Sequence, residues 1–541
     1  MEELIRKHAL INASEYNGKA NTQAVLSKVL AEKPELKKEI AKVGKTVSQI
    51  VKEVNSWPLE KQQEELAKFG KIEKPKKEER EGLPELPNAV MGKVVTRFAP
   101  EPNGYLHLGH LKSAFLSYLY AKKYDGKAFL RFDDTNPVKE KKEYYDAIRE
   151  DLKTFELKFE KKVLESDYME KFYEYAKDLF EQGHFYVCTC PQEKIKESRA
   201  KAKACPCRKR SVEENLKLWE SMLKDAKQGS MIVRLKTDPA HRNPAMREPS
   251  MLRIIDAAHP LKGNKYRVYP MYNFACTVMD HELEVTHVMR DKGFENDAKV
   301  QEFIYKIFKW KIPENIQFGR LKTVAGIPMK KRKLIEMIKA GELSGFEDIR
   351  IPTPRNLIKK GFRPDTIKRL IEEIGPSKND VNISFDKLEK YNRQLIDSIS
   401  NRYFFVKEPV EIKLDKVLEK FVKAPLLPDK EDMRSIPVSD RIFVEKEDYD
   451  QNKGEEVRLM HLCNVILDKK AKVTGTELKD VPKLHWVSDN VKIRIIMADG
   501  KEVKGLAEPE VDVVKPNQTV QFERVGFARC ERKGLFYFAH K

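Results

Sequence analysis

The chain is poor in cysteine, short of acidic residues and free of long apolar runs. It carries 7 Cys in 541 residues. The number is odd and four are clustered, which argues against a disulfide framework and for a reducing compartment. No run of ~18 apolar residues occurs, so no membrane-spanning helix is expected; mean hydropathy is −0.61. The opening MEELIRKHAL holds no apolar signal core, and a cytoplasmic protein is expected. No internal repeat is found. Asp and Glu total 85 against 104 Lys and Arg, for a net charge of +19. That deficit of acid favours a polyanionic partner, because neutralising phosphates releases counterions. Charge alone does not separate RNA from DNA or from an acidic membrane face.

A soft prior of ~100–200 residues per domain allows about three to five domains. Residues 1–70 show apolar positions at three- and four-residue spacing, broken at Asn17-Gly18 and Pro34, and read as a helical domain. Residues 71–88 are charged and Pro-rich and read as an exposed linker. A nucleotide-binding α/β domain follows in two halves, 89–187 and 266–334, interrupted by an insertion over 188–265. Residues 335–402 read as a helical connector. From 403 to 541, short alternating runs such as VKIRIIMADGKEV predict a β-rich tail, with Asp499-Gly500 as a hairpin turn.

The most informative stretch is Arg97–Pro137, RFAPEPNGYLHLGHLKSAFLSYLYAKKYDGKAFLRFDDTNP. A strand leads through a Pro- and Gly-rich turn into a helix, and a second strand ends at Asp133-Asp134, the opening of a parallel nucleotide-binding sheet. His107 and His110 are three residues apart at the helix start and share a face. Gly109 admits a flat ring near the backbone. The helix N-terminus adds partial positive charge for phosphate.

The strings APEPNGYLHLGH and RFDDTNP resemble the HIGH signature region of class I aminoacyl-tRNA synthetases, in the glutamyl/glutaminyl branch. The resemblance covers nearly the whole chain. It implies a Rossmann-type catalytic domain that uses ATP with Mg²⁺ to make an aminoacyl adenylate and then charges a tRNA. It assigns ATP binding to His107, Gly109 and His110. GRLKTVAGIPMKKRKLIEMI, residues 319–338, resembles the KMSKS loop in its MSKRK form. Lys331 takes the place of the phosphate-binding lysine, and Lys330 stands where Ser is usual. Arg320-Leu321 resembles the adenine-flanking pair.

For the amino acid, the resemblance gives Asp133 to the α-ammonium, Arg97 to the substrate side chain, and Tyr272, in a YPxYDF-like segment, to the pocket wall. Asn273 replaces the usual Asp there. Arg290, in THVMR, resembles the arginine of glutamyl enzymes that glutaminyl enzymes lack. A γ-carboxylate suits a guanidinium partner, and facing a neutral amide would leave it unpaired at ~2–5 kcal/mol. L-glutamate is therefore the expected substrate. The segment after it, DKGF, departs from the usual GKDH.

Cys188-Thr189-Cys190 and Cys205-Pro206-Cys207 are separated by fourteen residues. Two close thiol pairs suit tetrahedral Zn²⁺, and four Cys would close its shell, so a structural role is expected. Many glutamyl enzymes resemble this chain in carrying a Cys-rich zinc site there. The insertion would hold the tRNA acceptor end, with Lys201, Lys203, Arg208, Lys209 and Arg210 available for phosphate. Cys276, Cys463 and Cys530 read as core residues. The tail resembles the anticodon-binding β-barrels of archaeal and eukaryotic members, with Arg524 and Arg529 as candidate contacts. The expected partners are tRNA(Glu), with tRNA(Gln) left open, on a monomeric enzyme. The alternatives are a glutaminyl enzyme, a non-catalytic tRNA-binding relative, and a nucleotidyl transferase acting on small molecules.

Overall fold

The computed structural model describes residues 1–15, 18–69, 82–323, 331–428 and 431–541. It divides into two compact units, Met1–Glu81 and Gly82–Lys541.

The first unit is helical. Helices α1 (Glu2–Glu15), α2 (Thr22–Glu32) and α3 (Ile40–Asn55) pack around one apolar core, and α4 (Leu59–Ala67) joins it through the partly buried Leu66 and the buried Gln62. Val43, Val47, Ile50 and Val54 recur at the three- and four-residue spacing that lines one helix face. Gly18 has φ +83°, a left-handed turn that glycine takes without strain. Pro34 opens a short 3₁₀ turn, Pro34–Glu39, before α3. The buried Gln62 donates to the carbonyls of Gly18 and Val54, tying α4 to the rest.

The second unit begins with a parallel sheet: β1 (Val95–Phe98), β2 (Lys127–Phe132) and β3 (Lys161–Leu164). Helix α5 (Leu108–Lys123) crosses from β1 to β2. The sheet continues across a side-chain and backbone link: Val95 N donates to Thr286 Oγ1 at 2.8 Å, and Thr286 N to Val95 O at 2.9 Å. This brings the parallel pair β8 (His287–Asp291) and β9 (Glu314–Phe318) beside β1. A β-carbon on Gly126, at the entry to β2, would lie 2.0 Å from Val94 O, so the approach needs glycine. Residues 82–88 are not a free linker. Leu86 is buried and its N–H donates to the Tyr124 hydroxyl, while Pro87 O accepts from His287. Their charged neighbours hide this anchor in the sequence; residues 70–81 lie outside the described residues.

Between the halves stands an antiparallel sheet of β4 (Phe185–Cys188), β5 (Ile232–Leu235), β6 (Ser250–Ile254) and β7 (Val268–Pro270). It reaches past the cysteine-rich stretch at both ends, because Phe185 pairs with Leu235 and Val268 with Ile254. Beyond β9, β10 (Leu321–Thr323) pairs in parallel with β11 (Val381–Ile383). Helices Pro354–Lys360, Pro364–Ile374 and Phe385–Ile396 belong to the same stretch of chain.

The tail forms two seven-stranded sheets, one nested in the other by sequence. The outer sheet orders Asn401–Tyr403, Thr519–Phe522, Gly526–Arg532, Leu535–His540, Val491–Ile496, Glu502–Ala507 and Phe405–Lys407. Its two edge strands are separated in sequence only by Phe404. Laid flat, seven strands would hold those edges about 29 Å apart at ~4.8 Å per strand. The sheet is therefore curled like a barrel. The inner sheet, within 409–487, uses the same device: its edges are Lys483–Leu484 and Trp486–Val487, separated only by His485. Tyr403 and Phe405 point into the outer core, Phe404 and Val406 into the inner one, as strand alternation requires. Gly500, at φ +85°, turns the hairpin expected at Asp499-Gly500.

Candidate functional site

A cavity of about 760 Å³ opens at the C-terminal ends of β1, β2 and β8. The carboxyl edge of a parallel sheet is where such folds take ligands. Arg97, His107, Gly109, His110, Asp133, Tyr272, Arg290, Arg320 and Leu321 all line it. Lys331 opens the helix Lys331–Lys339; its side chain, with residues 324–330 and so Lys330, lies outside the described residues.

His107 caps α5. Its Nδ1 accepts from the His110 N–H at 3.2 Å, and His110 Nδ1 accepts from the His107 N–H at 3.3 Å. The rings stack with centroids 3.6 Å apart and planes 15° from parallel. A β-carbon on Gly109 would meet His107 Cε1 at 2.9 Å, so the ring that this glycine admits is the histidine's own. With both Nδ1 atoms accepting, each neutral ring carries its proton on Nε2. Burial pushes His107 down, and pushes His110 down to about 3, with the His107 charge adding to the second. The pair therefore offers neutral N–H donors at a helix N-terminus.

Under the cavity lies a network of buried charges. Arg131 is fully buried and reaches Asp133 at 2.7 Å, Asp280 at 2.6 Å and Glu165 at 3.3 Å. Arg97 donates to the same Asp280 from Nε at 3.1 Å. Burial alone would raise Asp280, but the two guanidiniums hold it well below the usual carboxylate range. Tyr272, Cys276 and Asp280 recur every four residues along the helix Tyr272–Glu282 and so share one of its faces, with Tyr272 at the cavity. Cys276 is thus not a plain core residue: its Sγ lies 3.4 Å from Arg97 and 3.5 Å from Arg131. The sequence held one signal for this network: a charged Arg131 inside an apolar strand has to be paired when buried.

Arg290 is 7 % exposed. Its Nε donates to Asn315 Oδ1 at 3.1 Å and its terminal nitrogen to Gln301 Oε1 at 2.8 Å. Both partners are neutral amides. Tyr272 packs against Phe294, ring centroids 5.3 Å apart. Arg320 donates from Nε to Asp291 at 3.2 Å, and its backbone N–H to Asp380 at 3.0 Å. Lys112, two residues beyond His110, was missed in the sequence. It is buried, donates to Gly319 O at 3.1 Å, and lies 4.9 Å above the Phe318 ring. Burial pushes it down to about 8.

The four cysteines meet at the end of β4. Their Sγ atoms all lie within 4.8 Å of one another. Cys188 to Cys205 is 3.7 Å and Cys190 to Cys207 is 3.8 Å. A tetrahedron of thiolates about 2.3 Å from zinc has an edge of about 3.8 Å, so the set fits. The Tyr186 hydroxyl and the Arg234 guanidinium each lie 3.7 Å from Cys205 Sγ. The hydrogen bond from Cys188, helped by these two groups, pulls the Cys205 thiol down, while the same bond raises Cys188.

Two of the five basic residues expected to face phosphate are used internally. Arg208 bonds Thr237 O and pairs with Glu248; Arg210 bonds Val187 O and Thr189. Both brace the cysteine loop; Lys201 is exposed but pairs with Glu197 at 2.5 Å, and Lys203 and Lys209 remain exposed. In the tail, Arg524 pairs with Asp448 at 2.5 Å, and Arg529 with Lys359 O at 3.1 Å and Glu531 at 2.8 Å. Strand alternation alone could not reveal these partners.

Among the described residues, no helix is long and apolar enough to cross a membrane. Residues 93–398 match the catalytic domain of class I tRNA synthetases (E and Q), and residues 400–482 and 483–531 match two anticodon-binding domains of that group. The chain is 41% identical to the glutamate–tRNA ligase of Pyrococcus furiosus and 42% to that of Pyrococcus abyssi, each over 100% of both chains. It is 39% identical to the glutamate–tRNA ligase of Methanocaldococcus jannaschii over 98% of both. With that agreement along its whole length, the chain belongs to the class I tRNA synthetases of the glutamyl and glutaminyl group.

Proposed function

We propose that this chain is a glutamate–tRNA ligase. The observation that carries the reading is Arg290: a buried guanidinium in the cavity, hydrogen-bonded among the described residues to neutral amides only. Such a charge favours a carboxylate-bearing side chain over an amide one.

The α-carboxylate of L-glutamate attacks the α-phosphorus of ATP, and pyrophosphate leaves. The terminal ribose hydroxyl of tRNA(Glu) then attacks the acyl carbon, and AMP leaves. The protein holds these groups in line and stabilises phosphate charge. His107 and His110 donate Nε2–H to phosphate, and Lys331 approaches from the KMSKS-like loop. Arg320 and Leu321 flank the adenine. Asp133 takes the α-ammonium, Tyr272 walls the side chain, and Arg97, fixed by Asp280, completes the seat with Arg290. Mg²⁺ arrives with ATP and offsets phosphate charge. Cys188, Cys190, Cys205 and Cys207 hold a structural Zn²⁺ that shapes the insertion against the acceptor end. The curled sheets of the tail bind the anticodon. The enzyme works as a cytoplasmic monomer, and tRNA(Gln) is a second acceptor to be tested.

The test is charging of tRNA with labelled glutamate or glutamine in the presence of ATP and Mg²⁺, scoring the two acceptor fractions separately. Glutamate incorporation is expected. Glutamine incorporation would overturn the role of Arg290, and tRNA binding without either would make the chain a non-catalytic relative.

A further inference from the structure

Among the described residues no carboxylate hydrogen-bonds the Arg290 guanidinium, and a directed chain of amides holds it. Arg290 donates to Gln301 Oε1 at 2.8 Å; Gln301 Nε2 donates to Asn273 Oδ1 at 3.4 Å; Asn273 Nδ2 donates to Asp297 Oδ1 at 3.0 Å. A guanidinium can only donate and a carboxylate can only accept, so the direction of each amide is forced from both ends. Asp297 orients the chain from two side chains away and does not pair with the guanidinium. Asn315 holds the other side through Nε at 3.1 Å. The acid beneath, Asp280, is already shared by Arg97 at 3.1 Å and Arg131 at 2.6 Å.

We infer that Gln301, Asn273 and Asn315 are specificity-determining residues that act through Arg290, fixing its direction while withholding a counter-charge so that the substrate's side-chain carboxylate supplies it. A carboxylate at any of the three would pair with the guanidinium or unsettle the chain. At position 273 an Asp would also face Asp297, which accounts for Asn in this segment. The inference rests on the proposed glutamate specificity.

The test uses two near-isosteric variants on different elements, Gln301→Glu from the helix Glu295–Phe308 and Asn315→Asp from β9. Wild-type and variant full-length enzymes are compared for KM of glutamate, for the glutamate-to-glutamine ratio of kcat/KM in tRNA charging, and for KM of ATP. The expected result is a glutamate KM raised about tenfold or more, a lowered ratio, and an ATP KM near that of wild type. Gln301 is 2 % exposed, so if its variant does not fold, Asn315→Asp, half-buried, carries the test. Folded variants with unchanged glutamate KM and ratio overturn the inference while leaving the ligase reading intact. A wild-type enzyme that neither binds nor charges glutamate overturns both.

Discussion

Asp291 Oδ1 accepts the Gly293 N–H at 2.7 Å and Arg320 Nε at 3.2 Å, so one carboxylate oxygen joins the end of the Arg290 strand to the start of β10. This gives the DKGF segment a physical meaning. Asp291 caps the turn and seats Arg320, Lys292 pairs with Asp380 at 2.7 Å, and Phe294 packs on Tyr272. A β-carbon at position 293 would stand 2.5 Å from an Arg320 terminal nitrogen and 2.7 Å from Asp291 Oδ1, so any larger residue there pushes these side chains aside.

Gly293→Ala should therefore displace the Arg320 guanidinium without disturbing the backbone. Arg320 is 61% exposed in its side chain, so the lost pairing is worth only about 1 kcal/mol. ATP–pyrophosphate exchange with tRNA present should show KM for ATP raised about fivefold and KM for glutamate little changed. An unaltered ATP KM would remove Arg320 from the nucleotide site.

A second prediction concerns pH. Asp134 is buried; it accepts from Ser166 N at 2.8 Å and Tyr145 at 3.0 Å, and lies 3.7 Å from His259, which also touches Glu140 at 3.2 Å. Burial, with Glu140 adding, pushes Asp134 up to about 7. Between about pH 4 and that value the folded chain holds a proton that the unfolded chain releases, so stability falls as pH rises through this window. Against the pull of burial, Glu140 and Asp134 raise His259. Its contribution is complete below about pH 6.5 and is lost as pH rises through the raised value. Asp134→Asn should flatten the slope, on the order of 1 kcal/mol per pH unit. Urea unfolding at pH 4.5, 6 and 7.5 measures it, and parallel curves for the two proteins would refute it.

The cysteine cluster makes a third. Purified native protein should hold zinc at one equivalent per chain. Cys205→Ser should abolish most of it and open the loop around Lys203 and Lys209 to trypsin, as should chelation. Native protein without stoichiometric zinc, yet equally protease-resistant, would end the metal assignment.

A fourth lies in the tail. Arg434 is 2 % exposed and holds Glu508 at 3.0 Å and Glu523 at 2.6 Å, with Phe404 5.0 Å below it. Arg434→Ala leaves those carboxylates without their cation, at about 3–5 kcal/mol. Denaturant unfolding followed in the tail should show that loss. A change below ~1 kcal/mol would mean that water already solvates the site.

Much of the catalytic half was legible in the sequence because local rules govern it. A strand, a Pro- and Gly-rich turn and a capped helix declare themselves within Arg97–Pro137, and thiol pairs declare a metal-like geometry. What stayed hidden depends on partners distant in the chain. Lys112 meets Gly319, Arg97 meets Asp280, and Leu86 meets Tyr124, none of which periodicity can join. The same holds for the insertion and tail arginines, whose exposure pattern looked free until Glu248, Asp448 and Lys359 closed around them. The nesting of one curled sheet within the other was equally invisible, since alternation marks strands and not their neighbours.

That nesting has a topological consequence. Phe404 and His485 are single-residue hand-overs, each passing the chain from one border of its sheet to the other, and their rings lie 6.3 Å apart. A cut or an inserted residue at either point would release two strand borders at once. Each border is bonded to a strand on one side only, and parting the two would open its free amides and carbonyls to a foreign strand. The tail therefore protects itself from aggregation at two adjacent stitches, where a single length error would do more harm than many substitutions along the strands between them.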